Sequence, residues 1–243
     1  MGGYRLSGLR SGYSHGRILL SQLGLLLLVS ALGSCESATV VDLARNRYFY
    51  ASPEFQASRR TNESVYVTRL LDRRTLPETE DSSSYKEIYS DSIWDRPVPV
   101  MVEEVLIDEI ERSGIYNGLA TGAAGTPAPE EIVVEPTLLT MYRLREAFAE
   151  PGLVGMRRTV AHTSLHIRVR GPAGQNGIRP VLLDEVIESE VATEPTLARP
   201  DLGVVLSGQA LHNVMAQTML KLYESSIVTA RSGSSKSAAA DRR

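Results

Sequence analysis

Two stretches of the chain repeat apolar residues at helical spacing. From Arg96-Pro97 onward, apolar positions recur every three or four residues as far as Ile110, and Pro97 and Pro99 are tolerated in a first helical turn. Ser113-Gly114 then supplies the glycine that commonly ends a helix. A longer apolar stripe runs through residues 203–226. The pattern therefore predicts two amphipathic helices.

Elsewhere the period changes to two, which is typical of strands. Thr159 to Arg170 alternates most regularly, with Ala161, Leu165 and Val169 on the apolar side. The turn-rich residues 171–177 connect it to Val181 to Val191, which also alternates. We interpret this pair as a β-hairpin with one buried and one solvent-exposed face.

Three further segments have extended character. Val65 to Leu71 and Tyr85 to Tyr89 are predicted strands. Ile132 to Arg143 is a third, in which Pro136 favours an edge strand or a bulge. Gly118 to Glu131 is rich in Gly, Ala, Thr and Pro and is predicted to be a loop. The order of elements predicts an α+β fold: an antiparallel or mixed sheet packed on one face by two amphipathic helices.

The first residues have the composition of a secretory signal. Arginines precede a 15-residue apolar run from Ile18 to Leu32, which is short for a membrane span of about 20 residues. Leu32-Gly33-Ser34-Cys35 then resembles the lipobox of bacterial lipoproteins, and Cys35 is the single cysteine of the chain. We predict that Cys35 is lipidated and anchors the protein in a membrane. A cysteine after an ordinary cleavage site, or an uncleaved anchor, is the alternative.

These features predict four segments. Residues 1–34 are a lipoprotein signal peptide, and 35–47 are a short tether that follows the acylated cysteine. Residues 48–230 form a single α+β domain, and 231–243, which have no apolar periodicity, are a disordered tail. The formal net charge of −3 shows no basic excess, and no nucleic-acid-binding motif is present, so no nucleic-acid partner is expected.

The candidate catalytic and metal-binding groups are better explained as surface residues. His162 and His166 are four apart, but on a strand this places them about 13 Å apart, too far to share one metal ion. No nucleophile elbow, phosphate-binding loop or dinucleotide fingerprint is present. We therefore predict no catalytic residue, no metal and no cofactor. The carboxylates that the pattern assigns mostly to solvated faces are Glu103, Glu104, Asp108, Glu109, Glu111, Asp184, Glu185, Glu188 and Glu190.

Trp94, the single tryptophan, precedes the first predicted helix. It is a candidate anchor for a partner protein, but a tryptophan at such a position more often packs in the core. We expect it to be buried.

Taken together, these motifs resemble the PqiC-like auxiliary lipoproteins of ABC-type and MCE-type transport systems. After the lipobox, the residues from Arg47 to Pro53 resemble the family's early tyrosine-rich first strand. The residues from Asp91 to Pro97 and the helix up to Gly114-Ile115-Tyr116 resemble its tryptophan-led helix and the following turn. The alternating strand near His166, the strand around Leu183 and the long last helix complete an order of features that spans most of the chain.

The resemblance implies a non-enzymatic envelope component that works with a transporter moving lipids or other hydrophobic molecules between membranes. It implies a periplasmic transporter subunit as partner and a homo-oligomeric ring as a further expectation. Glu36 follows the cysteine where inner-membrane retention usually has aspartate, which favours the periplasmic face of the outer membrane.

Two other functional classes remain open. A lipoprotein regulator of cell-wall synthesis, similar to the activators of penicillin-binding proteins, is the alternative. Such activators usually carry long disordered arms, whereas the link from Cys35 to Tyr48 is short. An enzyme is the third functional class, and it would require a pocket with converging titratable groups whose pKa values are shifted.

Overall fold

The computed structural model describes residues 44–45, 49–75, 84–88, 94–122, 125–147, 156–194, 196–197 and 202–240. The predicted signal peptide, Cys35 and most of the tether over 35–47 lie outside these residues. Within the described part of the chain, no helix is both long and apolar enough to cross a bilayer.

Eight strands and two helices form the described body. The strands are β1 (Ser64–Val67), β2 (Leu71–Asp72), β3 (Ser84–Ile88), β4 (Gly118–Thr121), β5 (Ile132–Ala147), β6 (Met156–Arg170), β7 (Val181–Ala192) and β8 (Thr196–Leu197). The helices are α1 (Val98–Ser113) and α2 (Leu202–Ala240). The main path of the sheet is β4-β1-β5-β6-β7; β2 and β3 also pair with β5, and β8 pairs with β6.

The sheet is mixed. β1 pairs in parallel with β4 and β5, and β2 is also parallel to β5. β5, β6 and β7 are antiparallel neighbours, and β3 and β8 also pair antiparallel. With the two helices contributing to one core, this confirms the α+β fold and the mixed sheet that the sequence predicted.

The alternation of β6 decides which face of the sheet is covered. Its odd-numbered residues from Ala161 to Val169 are fully buried, whereas His162, His166 and Arg168 are only partly buried. The helices pack on the odd-numbered side, where Leu211, Met215 and other α2 residues join the strands in one hydrophobic cluster. Complete burial of such a side chain contributes about 1.5–3 kcal/mol, so this face holds the body together.

Helix α1 begins and ends where the sequence predicted. Pro97 is the residue before the first turn, where its missing N–H costs no hydrogen bond. Gly114 follows the last turn with φ 64°, a left-handed conformation that favours glycine. Trp94, just before the helix, is 4% exposed, so its prediction as a core residue is confirmed.

Four predicted segments differ from the structure in extent or type. The segment predicted as one strand over Val65 to Leu71 is split into β1 and β2. The predicted loop over 118–131 contains β4, because Gly118–Thr121 pairs with β1, a contact that local sequence does not encode. The tyrosine-rich strand expected near Tyr50 is not present: residues 49–63 form no strand or helix. Helix α2 continues to Ala240, past the apolar stripe over 203–226 and into the segment predicted as a tail from 231.

Pro136 does not mark an edge, because β5 lies inside the sheet. Thr68 N donates to Val134 O (2.9 Å) and Arg73 N donates to Leu138 O (2.9 Å), so the even-numbered residues of β5 here bond toward β1 and β2. Pro136 falls between these two paired stretches, where no N–H is needed. The irregularity that proline suggested is found close by, between Leu138 and Thr140.

Candidate functional site

Residues 49–63, the first continuous stretch of the described chain, lie across both helices; we call them the N-terminal strap. Near its start, the Tyr50 hydroxyl donates to Glu109 Oε1 (3.1 Å) and the Ser52 hydroxyl donates to Glu109 Oε2 (2.9 Å). The Arg112 guanidinium lies 3.4 Å from Glu109 Oε1. The strap is therefore bound to α1 through one carboxylate.

Glu109 was predicted on the solvated side of α1, and this prediction is wrong. Its side chain is only 2% exposed, because it lies four residues after Val105 on the apolar stripe. Hydrogen bonds and the nearby guanidinium offset the cost of burying this charge. Burial and the carboxylate together raise the pKa of Tyr50 well above its usual range, so its hydroxyl remains a donor.

The other carboxylates of α1 that were predicted to be solvated are either exposed or partly buried. Asp108 and Glu111 are exposed, while Glu103 and Glu104 are partly buried. Glu103 Oε2 accepts from Leu70 N (2.7 Å), and Glu104 forms a two-fold ion pair with Arg96 (2.6 Å). These contacts fasten the ends of neighbouring segments and do not converge on a common point.

The strap also satisfies the open end of α1. Helix termini leave carbonyl groups without partners in the helix. Gln56 Nε2 donates to Arg112 O (2.9 Å), and Ala57 N donates to Ser113 O (2.8 Å). Thr61 N donates to Ile115 O (2.8 Å) just beyond the helix.

On α2 the strap passes over a glycine. A Cβ at Gly208 would lie 1.4 Å from the Phe49 carbonyl oxygen, so only glycine permits this approach. His212 Nδ1 donates to Ala51 O (2.7 Å), and the ring of Phe55 packs edge-on against Tyr223. The strap therefore joins the segment that follows Cys35 in the chain to both helices.

The opposite face of the sheet is polar. Arg170 binds Glu135 (3.0 Å), and both His166 (2.5 Å) and Arg168 (2.9 Å) bind Asp184. These partners hold the pKa of Asp184 below its usual value. The face is thus a set of ion pairs that connect β5, β6 and β7.

His162 occupies a different environment from His166. Its ring stacks on Tyr142 with centroids 5.1 Å apart, its Nδ1 lies 2.9 Å from Thr140 Oγ1, and its Nε2 lies 3.8 Å from Glu188. Burial, with Glu190 and Glu188 nearby, raises the pKa of Tyr142. The structure therefore gives the two histidines separate partners. Among the described residues, no group of three His, Cys, Asp or Glu side chains is placed to hold a metal ion.

The four carboxylates of β7 that were predicted to be solvated are all exposed: Asp184, Glu185, Glu188 and Glu190. Glu185 binds Lys221 of α2 (3.1 Å), which raises the pKa of that lysine. Sequence reasoning placed these side chains correctly. The sequence pattern did not reveal the strap or its contacts with Glu109 and Gly208. A glycine inside a predicted helix does, however, indicate a close approach of another backbone segment.

No family model and no curated protein matches this chain. Solved structures do. A Xanthomonas campestris protein of family DUF330 is 12% identical with a TM-score of 0.46, covering 73% of this chain and 94% of that one. A minor lipoprotein from Acinetobacter baumannii is 9% identical (TM-score 0.38; 68% and 94%). A hypothetical protein from Chlamydia trachomatis is 10% identical (TM-score 0.38; 67% and 98%).

The contact at Gly208 generates a prediction. Gly208→Ala places a methyl group against the Phe49 carbonyl, so the strap or the helix must move. We expect a loss of about 1–3 kcal/mol in the free energy of unfolding, although alanine is the better helix former. Urea unfolding measures this loss, and faster trypsin cleavage after the exposed Arg59 or Arg60 reports strap release.

Gln209→Ala, at the neighbouring exposed position, is the matched control and is expected to change stability by less than about 0.5 kcal/mol. A Gly208→Ala variant as stable and as trypsin-resistant as the wild type would show that the strap does not lie against α2.

Glu63, at the end of the strap, generates a second prediction. Burial raises its pKa, and its buried Oε2 has no hydrogen-bond partner among the described residues. A carboxyl whose pKa is raised by folding contributes stability at low pH that is lost as the pH rises through the folded-state pKa. We therefore expect Glu63→Gln to melt close to the wild type near pH 4 and above it at pH 8.

The measurement is the melting temperature of both proteins across this pH range. The exposed Glu54 of the same strap provides the matched control, because Glu54→Gln makes the same chemical change at an exposed side chain. A Glu63→Gln variant whose advantage shrinks as the pH rises would contradict the assignment.

Proposed function

We propose that this chain is a lipid-anchored, non-enzymatic component of the bacterial envelope that docks a transport system. In this proposal Cys35 is acylated and holds the protein on the periplasmic face of the outer membrane. The partner is a periplasmic subunit of an ABC-type or MCE-type transporter that moves lipids or other hydrophobic molecules.

The strap is the observation that carries this proposal. It begins at Phe49, 14 residues after Cys35, and a chain of this length spans at most about 50 Å. Because the strap is bound to both helices, an acyl group on Cys35 would keep the whole body within that distance of its membrane. A short attachment of this kind suits a docking component that works at one membrane.

The polar face of the sheet supports the same proposal from the other side of the body. The helices bury the apolar face, so their stripes are used in the core. The polar face carries ion pairs, and therefore charges of both signs, together with partly exposed histidines. No described element packs over this face. Such a surface suits recognition of a polar protein surface better than binding of an apolar cargo.

Lipidation is tested by fractionation. Cys35→Ala removes the thiol that would be acylated, so we expect the variant to leave the membrane fraction. Ser34→Ala keeps the thiol and a small residue before it, and should remain with the membrane. Immunoblots of the separated fractions measure both, and a Cys35→Ala protein that stays in the membrane fraction would rule out lipidation as the anchor.

The transport role is tested by affinity purification of the membrane-extracted protein followed by mass spectrometry. We expect subunits of an ABC-type or MCE-type transporter with the wild type and a reduced amount with Cys35→Ala. Recovery of cell-wall synthases without transporter subunits would overturn the proposal in favour of a regulator of penicillin-binding proteins.

A further inference from the structure

Strand β7 lies at one edge of the sheet. It is 12 residues long and pairs with β6 along its inner side. Within the described ranges, no strand pairs with its outer side. Seven of its residues are exposed, including Val186 at 54%. Native proteins usually shorten, cover or charge such edges, because a free edge is a template for another strand.

The hydrogen-bond phase shows which backbone groups face outward. Thr193 N, directly after β7, donates to Thr159 O (3.0 Å), so the odd-numbered residues of this strand bond toward β6. The register from Leu183 to Ala192 contains no shift. In antiparallel pairing the direction alternates with each residue. The N–H and C=O groups of the even-numbered residues from Asp184 to Glu190 therefore point away from the sheet.

The side chains along this edge are acidic. Between Val181 and Glu194 the chain has five carboxylates and no lysine or arginine. Asp184 and Glu185 have basic partners, as described above. Among the described residues, Glu188, which is 68% exposed, has one basic neighbour, the His162 ring at 3.8 Å, and Glu190 forms no ion pair. Negative charge is therefore concentrated along the second half of β7.

Apolar side chains lie beside this charge on both sides of the sheet. On the polar face, Val186 stands exposed between Asp184 and Glu188. On the helix side, Asn213 Nδ2 donates to Ser189 Oγ (3.1 Å) and Lys221 binds Glu185, so this flank of α2 runs along β7. Leu220 follows Asn213 by seven residues, which places it on the same side of α2, and it is 47% exposed.

A second copy of β7 does not fit this edge. Antiparallel pairing of two β7 strands would bring the carboxylates of both copies together, and like charges opposite each other destabilise a sheet. A strand with basic side chains would instead place its charges beside Glu188 and Glu190, with apolar positions against Val186 or Leu220.

We propose that the β7 edge binds an extended, basic segment of a partner protein by strand addition. The partner's backbone pairs with the outward N–H and C=O groups of the even-numbered residues, and its lysines or arginines lie beside Glu188 and Glu190. This proposal rests on the docking function proposed above and names the surface and the chemistry of that docking.

The probe is an acetylated eight-residue peptide of alternating valine and lysine, added to the purified full chain in detergent. We expect it to bind at least ten-fold more tightly than a matched peptide of alternating valine and glutamate, as measured by calorimetry. Hydrogen exchange provides a second readout: amide protons of Asp184, Val186, Glu188 and Glu190 should exchange fast in the free protein and slow down when the lysine peptide is bound.

Val186→Pro separates the edge from the polar face. Proline removes one outward N–H and leaves the bonds to β6 in place, a substitution that edge strands tolerate. We expect at least ten-fold weaker binding of the lysine peptide, whereas Val186→Thr, which keeps the N–H and the branched side chain, should stay within about two-fold. Equal binding by Val186→Pro would show that the peptide does not pair with this edge and would overturn the proposal.

Charge reversal keeps the proposal testable if Val186→Pro fails to fold. Glu188→Lys combined with Glu190→Lys changes two exposed side chains, and we expect this variant to prefer the glutamate peptide. Unchanged preference would overturn the proposal, as would absence of binding of both peptides to the wild type.

Failure of this edge and failure of the docking function are distinguishable. Transporter subunits that copurify equally with wild type and Val186→Pro would support the function and reject the edge. Loss of those subunits with Val186→Pro but not with Val186→Thr would support both.

Discussion

The long antiparallel pairing of β5 and β6 is the constraint on which the rest of the body depends. It fixes the direction of every side chain on β6, since a slip by one residue would exchange the faces of the sheet. In the observed register Leu165, Ile167 and Val169 are fully buried against the helices, and His162, His166 and Arg168 lie on the other side. One register therefore produces both the core and the polar face. It also sets the hydrogen-bond phase of β7, and hence which of its backbone groups point away from the sheet.

The strap adds a second constraint of a different kind. Its contacts are polar and specific: a buried carboxylate that accepts hydrogen bonds from two hydroxyl groups, the carbonyls at the end of α1, and a close approach that requires Gly208. Apolar burial alone would allow this segment several positions on the helices. These contacts select one of them, so the point at which the chain leads back toward Cys35 is fixed on the body.

The sequence predicted the features that depend on local residue spacing. It did not predict the features that depend on contacts between segments distant in sequence. The ends of α1, the hairpin of β6 and β7 and the exposed side of β7 all follow from spacing, proline, glycine and alternation. β4 could not be recognised, because Gly118–Thr121 becomes a strand only by pairing with β1. Glu109 was misplaced for a similar reason: its charge predicts a solvated side chain, and its burial depends on Tyr50 and Ser52, more than 50 residues away in sequence. Pro136 predicted an irregularity in β5 close to the one observed. The sheet tolerates this proline in an interior strand because it lies opposite the interval between β1 and β2, which local sequence does not reveal.

The strap and the β7 edge share no residue. The strap engages Glu109 and Arg112 of α1 and Gly208, His212 and Tyr223 of α2, whereas β7 engages α2 through Asn213 and Lys221. A helix repeats every 3.6 residues, so His212 and Asn213, which are adjacent in sequence, project about 100° apart around α2. One helix can therefore hold the strap on one side and support the edge strand on another. Because effects of separated sites on stability are usually additive, changes at the strap and at the β7 edge can be interpreted independently.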